Sequence, residues 1–340
     1  MILKKIKVRN DIMTPLVSII IPTAYRPHYL PRSINSALSG MNNNDVEVIV
    51  VPNGPDESWR ESLNPYGNNQ SVRVIHIKEA NANIARNAGL TEARGEFVRF
   101  LDDDDYLIPE NSIKQYELIQ SSGADIVSGS VQLVDEAGGC FDVWRQPDMD
   151  DLCAAVLGPW RNGLIMSHVY RKSSLKSARW NPATIVRQDV EWLLDLCASK
   201  ELRWHKTNDV VGVWQHHWEQ RVSSKTRFNE IRKLTVPMLI RTYKSLQMEN
   251  RLNDLRRQAV TLELWSLIHS AFFLEPLYWS EVARTAQEID STVRPLQAIY
   301  NFPLIRNLNP LLIQWLLLPK RWTFYRFRHL LKKLRLLHIW

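Results

Sequence analysis

Over the first half of the chain, short unbroken apolar runs alternate with segments of helical spacing. Val17 to Ile21 and Val46 to Val51 are continuous and largely β-branched, the pattern of strands covered on both faces. Val72 to Ile77 predicts a third strand. Phe97 to Leu101, introduced by the turn-former Gly95, predicts a fourth. Between them, Leu30 to Leu38 and Ile84 to Glu92 repeat apolar side chains every three or four residues, as helices do. A helix over Pro109 to Ser121, a strand over Ala124 to Val134 and a turn at Gly138-Gly139 continue the alternation. Residues 140–183 show no clear period. Gln188 to Ser199 then predicts a helix and Val210 to Trp214 a strand. From Arg227 onward the spacing is helical, with interruptions expected at Pro237, Pro276, Pro295, Pro303, Pro310 and Pro319. Strands alternating with helices imply βαβ units: an α/β fold with a mainly parallel sheet, followed by a helical region.

At 340 residues, with 45% hydrophobic and 23% charged, the chain is sized for one large domain plus an appendage, or for two domains. Cys140, Cys153 and Cys197 have no metal-ligand spacing and cannot all pair, so a reducing, cytosolic setting is expected. The opening Met1–Lys7 lacks the apolar core of a secretory signal. The apolar run Leu311 to Leu318 is far too short to span a bilayer. The net charge of +7 is unevenly placed. No acid follows Asp290, and nine Lys and Arg residues do, so the body before it is close to neutral.

The chemistry concentrates where the fourth predicted strand runs into Asp102, Asp103, Asp104 and Asp105. Residues two apart in extended chain point the same way, so Asp102 and Asp104 are expected on one face. Pro109 and Glu110 have the makings of a helix's first turn. The acids therefore belong at the carboxyl end of a strand, where open α/β sheets bind their ligands. Four carboxylates there repel one another unless a cation or donors offset the charge. Oxygen donors of this kind suit Mg²⁺ or Mn²⁺, ions usually shared with substrate phosphates. A solvated acidic loop is the alternative reading of such a run.

Four stretches carry a resemblance: Val17-Ser-Ile-Ile-Ile-Pro-Thr23, Val46-Glu-Val-Ile-Val-Val-Pro-Asn-Gly54, Ala85-Arg-Asn-Ala-Gly-Leu90, and Ala93-Arg-Gly-Glu-Phe97 through the acids. In order and spacing they resemble the family 2 glycosyltransferases, inverting sugar-nucleotide enzymes of the GT-A fold. The resemblance implies a Rossmann-like, mixed but mainly parallel sheet flanked by helices over residues 15–225. A helical region, 226–340, follows it. By the resemblance Thr23 and Tyr25 lie in the loop that cradles the nucleotide. Asn53 stands where relatives carry a base-contacting Asp, and its amide still offers a donor and an acceptor. Arg86 falls near the diphosphate, Asp102 at the ribose, Asp103 as a helper, and Asp104 on a Mn²⁺ or Mg²⁺ ion, with Asp105 structural. Arg187-Gln-Asp-Val-Glu-Trp192 resembles the Glu-Asp segment that carries the catalytic base. It puts Asp189 on the base position, Gln188 in place of the usual Glu, and Glu191 as the rival carboxylate. Trp214 to Ser223 resembles a segment that closes over the diphosphate, giving His217 as a phosphate contact or metal ligand. His216 is the near alternative there, and Arg221 and Ser223 are further phosphate candidates. Trp160, Arg161 and Trp180 fall where such enzymes line their sugar pockets, although tryptophans are more often core.

The end of the chain, about 320–340, is a basic stretch of helical spacing. On a helix, Phe327, Leu330, Leu331, Leu334 and Leu337 share one face, and Arg326, Arg328, Lys332, Lys333 and Arg335 occupy the rest. Such a helix suits an anionic membrane surface; packing on its own domain or on a second copy of the chain, as a homo-oligomer, is the alternative. No nucleic-acid module accompanies the charge. The expected activity is metal-dependent, inverting transfer of a sugar from a nucleoside-diphosphate donor to a hydroxyl. The expected acceptor is a polyprenyl-linked glycan of surface polysaccharide synthesis at the inner face of the cell membrane. Two rivals stay open: a nucleotidyltransferase, which would want a Gly-rich basic loop in place of Pro22–Pro27, and a non-catalytic sugar-nucleotide or membrane-binding protein on the same fold.

Overall fold

The computed structural model describes residues 14–160, 164–217 and 228–333, with side chains through Phe327. Those residues divide into two compact units. One comprises residues up to Leu152 together with 164–217; the other comprises 153–160 together with 228–333. The segment 153–160, which holds most of a short helix, thus groups with the later helices, although in sequence it lies between the two parts of the first unit.

The first unit is built on a nine-stranded sheet among the described residues. Its strands are β1 (Val17–Thr23), β2 (Val46–Pro52), β3 (Val72–Val74), β4 (Phe97–Phe100), β5 (Tyr106–Leu107), β6 (Ile126–Val134), β7 (Cys140–Trp144), β8 (His168–Arg171) and β9 (Trp204–Gln215). They lie in the order β3-β2-β1-β4-β8-β6-β9-β5, with β7 a hairpin partner of β6. The strands from β3 through β4 pair in parallel. Beyond β4 the pairing turns mostly antiparallel, so the sheet is mixed. Helices α1 (Leu30–Leu38), α2 (Trp59–Leu63) and α3 (Ala82–Glu92) connect the parallel strands, and α4 (Pro109–Ser122), between β5 and β6, packs on the mixed half of the sheet. Every residue of β1 and β2 is buried, which is why both read as near-continuous apolar runs; the polar Ser18 and Glu47 within them hydrogen-bond each other at 2.6 Å. Gly89 marks the closest approach of α3 to the sheet. A Cβ there would come within 2.4 Å of Ile20 Cγ2 on β1. Because β1, β2 and β4 are parallel, their carboxyl ends, at Thr23, Asn53 and Asp102, open on one edge.

The described part of the second unit is helical: α5 (Leu152–Leu157), which begins at the boundary, α7 (Phe228–Met248), α8 (Asp254–Ala271), α9 (Pro276–Ile289) and α10 (Pro310–Lys333). Helix α6 (Gln188–Ser199) belongs to the first unit. Two expected interruptions do not occur. Helices α7 and α10 run through Pro237 and Pro319. In α7 the buried stripe of Met238, Leu239 and Leu246 continues past the proline, and packing of that face outweighs one lost backbone hydrogen bond. The third strand stops at Val74, with only a bridge between Asn53 and Ile77 beyond it. The ninth is longer than expected, because its polar first half pairs in parallel with β6.

Candidate active site

The acids do not extend β4. The strand ends at Phe100, and residues 102–105 form a tight turn in which the Asp105 N–H donates to the Asp102 carbonyl at 3.2 Å. Helix α1 holds that turn through its backbone. Ser33 Oγ donates to the carbonyls of Asp103 and Asp105, and Arg32 donates to that of Asp104 at 2.7 Å. The Arg32 guanidinium also lies 4.5 Å from the centre of the Tyr106 ring. Because the chain turns, simple alternation does not decide where each carboxylate goes.

Asp103 is 1% exposed and points back toward β1, where Thr23 Oγ1 donates to it at 2.7 Å. Burial pushes its carboxyl above the ordinary value, against the pull of Arg26. Asp102 pairs with Arg86 at 2.7 Å and keeps its side chain 35% exposed. Asp104 is reached by Arg26 and, at 2.9 Å, by His217 Nε2. One oxygen of Asp105 accepts from the Gln215 N–H at 3.0 Å. Asp102, Asp104 and Asp105 each place an oxygen within 4.8 Å of the others'. A cluster of hard oxygen donors of that span fits a divalent cation such as Mg²⁺ or Mn²⁺. His217, stacked on Tyr29 at 4.8 Å, would be a neighbouring nitrogen donor. His216, the alternative, turns its ring against Trp214 and Phe141.

Around this turn stand the other expected residues. Tyr25, in the loop after β1, has φ +60° and is 61% exposed, with its N–H donating to Asp56 at 3.0 Å. Asn53 is buried and donates both its backbone and side-chain N–H to the Thr23 carbonyl, tying the ends of β1 and β2 together. Arg86, on α3, is 6% exposed; besides Asp102 it donates to Asn83 Oδ1 at 3.0 Å and to Gln188 Oε1 at 2.9 Å. Gln188, Asp189 and the first turn of α6 are thereby bound to the acidic turn. Asp189 is half-buried, and burial is the main reason its pKa is raised. Arg187 and the Val190 N–H oppose that rise, while the nearby Asp102 charge adds to it. Glu191, the rival base, is turned inward onto Thr184 and Asn181. The residue that launches α6, Arg187, has φ +60°, a conformation that non-glycine residues adopt at a cost.

What brings α6 to the acids is a polar seam along α3. Asn81 and Asn83 donate to the carbonyls of Pro182, Asn181 and Thr184. Asn87 both donates to and accepts from the backbone of Trp180, at 2.8 Å each way. Trp180 is core: 1% exposed, stacked flat on Trp192 at 4.6 Å, with the Arg86 guanidinium 4.7 Å from its ring centre. Trp160 falls in the second unit. Arg161, Arg221 and Ser223 lie outside the described residues.

The residues not foreseen are Arg26, Arg32, Ser33 and the α3 asparagines. For the asparagines there was a signal, since positions 83 and 87 share a helix face. For Arg26 the signal was a lone cation at the end of β1, opposite four acids.

Residues 18–162 match the family model described as glycosyl transferase family 2. The chain is 30% identical over 132 residues to the glycosyltransferase GlyG of Streptococcus pneumoniae serotype 4, which covers 38% of this chain and 43% of that protein. It is 37% identical over 97 residues to the hyaluronan synthase of Pasteurella multocida, 28% of this chain and 10% of that one. The chain thus spans less than half the length of these curated relatives. In fold it is similar to S. aureus TarS 1-349, crystallised in complex with UDP-GlcNAc: TM-score 0.62 at 18% identity, over 82% of this chain and 83% of that one. It is also similar to the mannosyltransferase PcManGT of Pyrobaculum calidifontis in complex with GDP-Man and Mn²⁺, with TM-score 0.51 at 12% identity, over 91% of this chain and 87% of that one.

Proposed function

The chain belongs to glycosyl transferase family 2 through the domain at residues 18–162, and from that premise we propose that it transfers a sugar from a nucleoside-diphosphate donor to a hydroxyl, inverting the anomeric carbon. The carrying observation is Arg86, which joins Asp102 of the acidic turn to Gln188 beside Asp189. It ties the donor-side acids to the expected base on one edge of the sheet.

In this reading Thr23, Tyr25 and Asn53 face the nucleoside, Asp102 the ribose, and Arg86 the diphosphate, whose oxygens a guanidinium engages in pairs. Asp103 is the helper, holding Thr23 in place. Asp104 would hold the divalent ion, with Asp102, Asp105 and His217 around it. Such an ion, when bound, offsets charge on the departing diphosphate. Asp189 takes the proton of the acceptor hydroxyl as that oxygen bonds to the anomeric carbon. The bond from that carbon to the phosphate oxygen breaks, and its electron pair leaves on the nucleotide. The raised pKa of Asp189 strengthens it as a base.

Two proteins of similar fold carry UDP-GlcNAc and GDP-Man in their crystals, so UDP- and GDP-sugars are the first donors to try. For the acceptor, a polyprenyl-linked glycan at an anionic membrane accords with helix α10. That helix leaves Trp322, Phe324, Tyr325 and Phe327 exposed among Lys320 and Arg326, a mixture suited to the headgroup region. None of the described helices is long and apolar enough to cross a membrane.

Asp104→Ala tests the centre of this reading. The variant should fold with an unchanged circular dichroism spectrum and lose metal-dependent turnover by at least about 10²-fold, as removal of a main electrostatic stabiliser does. Undiminished turnover would refute the assignment.

A further inference from the structure

Arg26 stands on the acids that the proposed donor site uses. Its Nη2 donates to Asp103 Oδ1 at 2.7 Å, and its Nη1 reaches Asp104 Oδ2, the same oxygen that His217 Nε2 approaches at 2.9 Å. The Nη1 itself is 3.5 Å from that histidine nitrogen. The two carboxylates are 1% and 6% exposed, while the arginine side chain keeps 26% of its surface. Burial opposes the charge on Arg26, but Asp103 and Asp104 outweigh it and hold the guanidinium firmly protonated.

Three features set this contact apart from an ordinary surface ion pair. It bridges two acids that are themselves buried, so its loss would leave charge without compensation. It spends a fixed-charge side chain on Asp104, the acid expected to ligate a divalent ion. Its fork geometry also serves phosphate oxygens as readily as carboxylates. Arg26 follows Tyr25, whose positive φ shapes the loop, and its side chain is partly exposed.

We propose that Arg26 is a tethered counter-cation of the acidic turn. It occupies Asp104 until a diphosphate arrives, then exchanges the carboxylate for phosphate oxygens. A divalent cation alone must compete with the guanidinium for Asp104, whereas one accompanied by a diphosphate need not. Metal and nucleotide therefore strengthen each other's binding by the same factor. The proposal rests on the reading of this edge as a metal and nucleotide site.

The test uses the full chain and Mn²⁺ alone, with free ion counted by electron paramagnetic resonance and no nucleotide present. Arg26→Gln should bind Mn²⁺ at least tenfold more tightly than the wild type, and adding Asp104→Ala should abolish that gain. Arg26→Lys keeps the charge but lacks the two-pronged guanidinium fork, so it should fall between the two and serves if the glutamine variant fails to fold. Equal or weaker Mn²⁺ binding in folded Arg26 variants overturns the proposal, as does a gain that survives Asp104→Ala. Neither result depends on finding the donor. If a panel of UDP-, GDP- and dTDP-sugars failed to bind, that would count against the functional reading instead.

Discussion

At the scale of single residues, Asp189 shows how environment tunes an ordinary carboxyl for the proposed role. Burial raises its pKa, with Arg187 and a backbone N–H pulling the other way. A base acts only when deprotonated, so kcat/KM should fall as pH drops through that raised pKa. The acid limb of the profile should lie above the ordinary aspartate range near 3.9. Asp189→Asn should cut turnover by about 10²- to 10⁴-fold and leave donor binding by calorimetry nearly unchanged. A variant that kept its turnover would move the base to another group. The residue types at these positions were legible from the chain, but their company was not. Asp103 and Asp104 are neighbours in sequence, yet one is held by Thr23 of β1 and the other by His217 beyond β9. Only a folded sheet brings both partners to them.

At the scale of elements, α3 and α6 act together. The two Asn87 hydrogen bonds to the Trp180 backbone, and those of Asn83 to residues 181 and 184, carry the chain to the first turn of α6. Asn87→Ala strands a backbone donor and acceptor, at a cost of about 1–3 kcal/mol, which urea denaturation would measure. Because α6 carries Asp189, kcat should fall more than donor KM rises. A change confined to stability would mean that the seam has no positioning role. In the helical unit, a second polar cluster ties α10 to α8. Arg321 donates to the His269 ring and carbonyl and to Gln314, which in turn reaches Tyr300. Burial, reinforced by Arg321, pushes the His269 pKa down to about 4. Its folded value lies below the unfolded one near 6.5, so the stability it contributes is present above that pH. That stability is lost as pH falls from about 6.5 toward 4. The melting temperature should therefore drop between pH 7 and pH 5, and His269→Gln should flatten that dependence. An unaltered slope in the variant would assign the acid sensitivity to other groups. The prolines illustrate a different limit of pattern reading. Pro237 and Pro319 read as stops, yet both sit inside helices; in α7 the buried stripe that continues past Pro237 outweighs one missing donor.

At the scale of the whole molecule, charge and apolar surface meet at the end of the chain. Aromatic side chains of α10 stay exposed, and no acid follows Asp290 to balance the basic residues. If this end lies on a bilayer, a chain ending near Pro319 should lose sedimentation with vesicles containing anionic lipid. The full chain should keep it and release it as salt is raised. Equal sedimentation of the two would count against the membrane proposal.

The alternation of apolar runs by itself determined the parallel half of the sheet, the place of the acidic turn at its edge and the helical character of the last third. These rest on local periodicity, which each segment carries independently of its neighbours. The motifs likewise singled out Thr23, Arg86, Asp104 and Asp189 as candidates. Only the tertiary structure decided the mixed half of the sheet, since pairing partners far apart in sequence leave no local trace in residues 140–183. Tertiary structure also decided that residues 102–105 turn instead of extending, that His217 reaches Asp104, and that Arg26 holds two of the acids. Each of these depends on which distant side chain fills the space beside a buried charge, and that is settled when the chain packs.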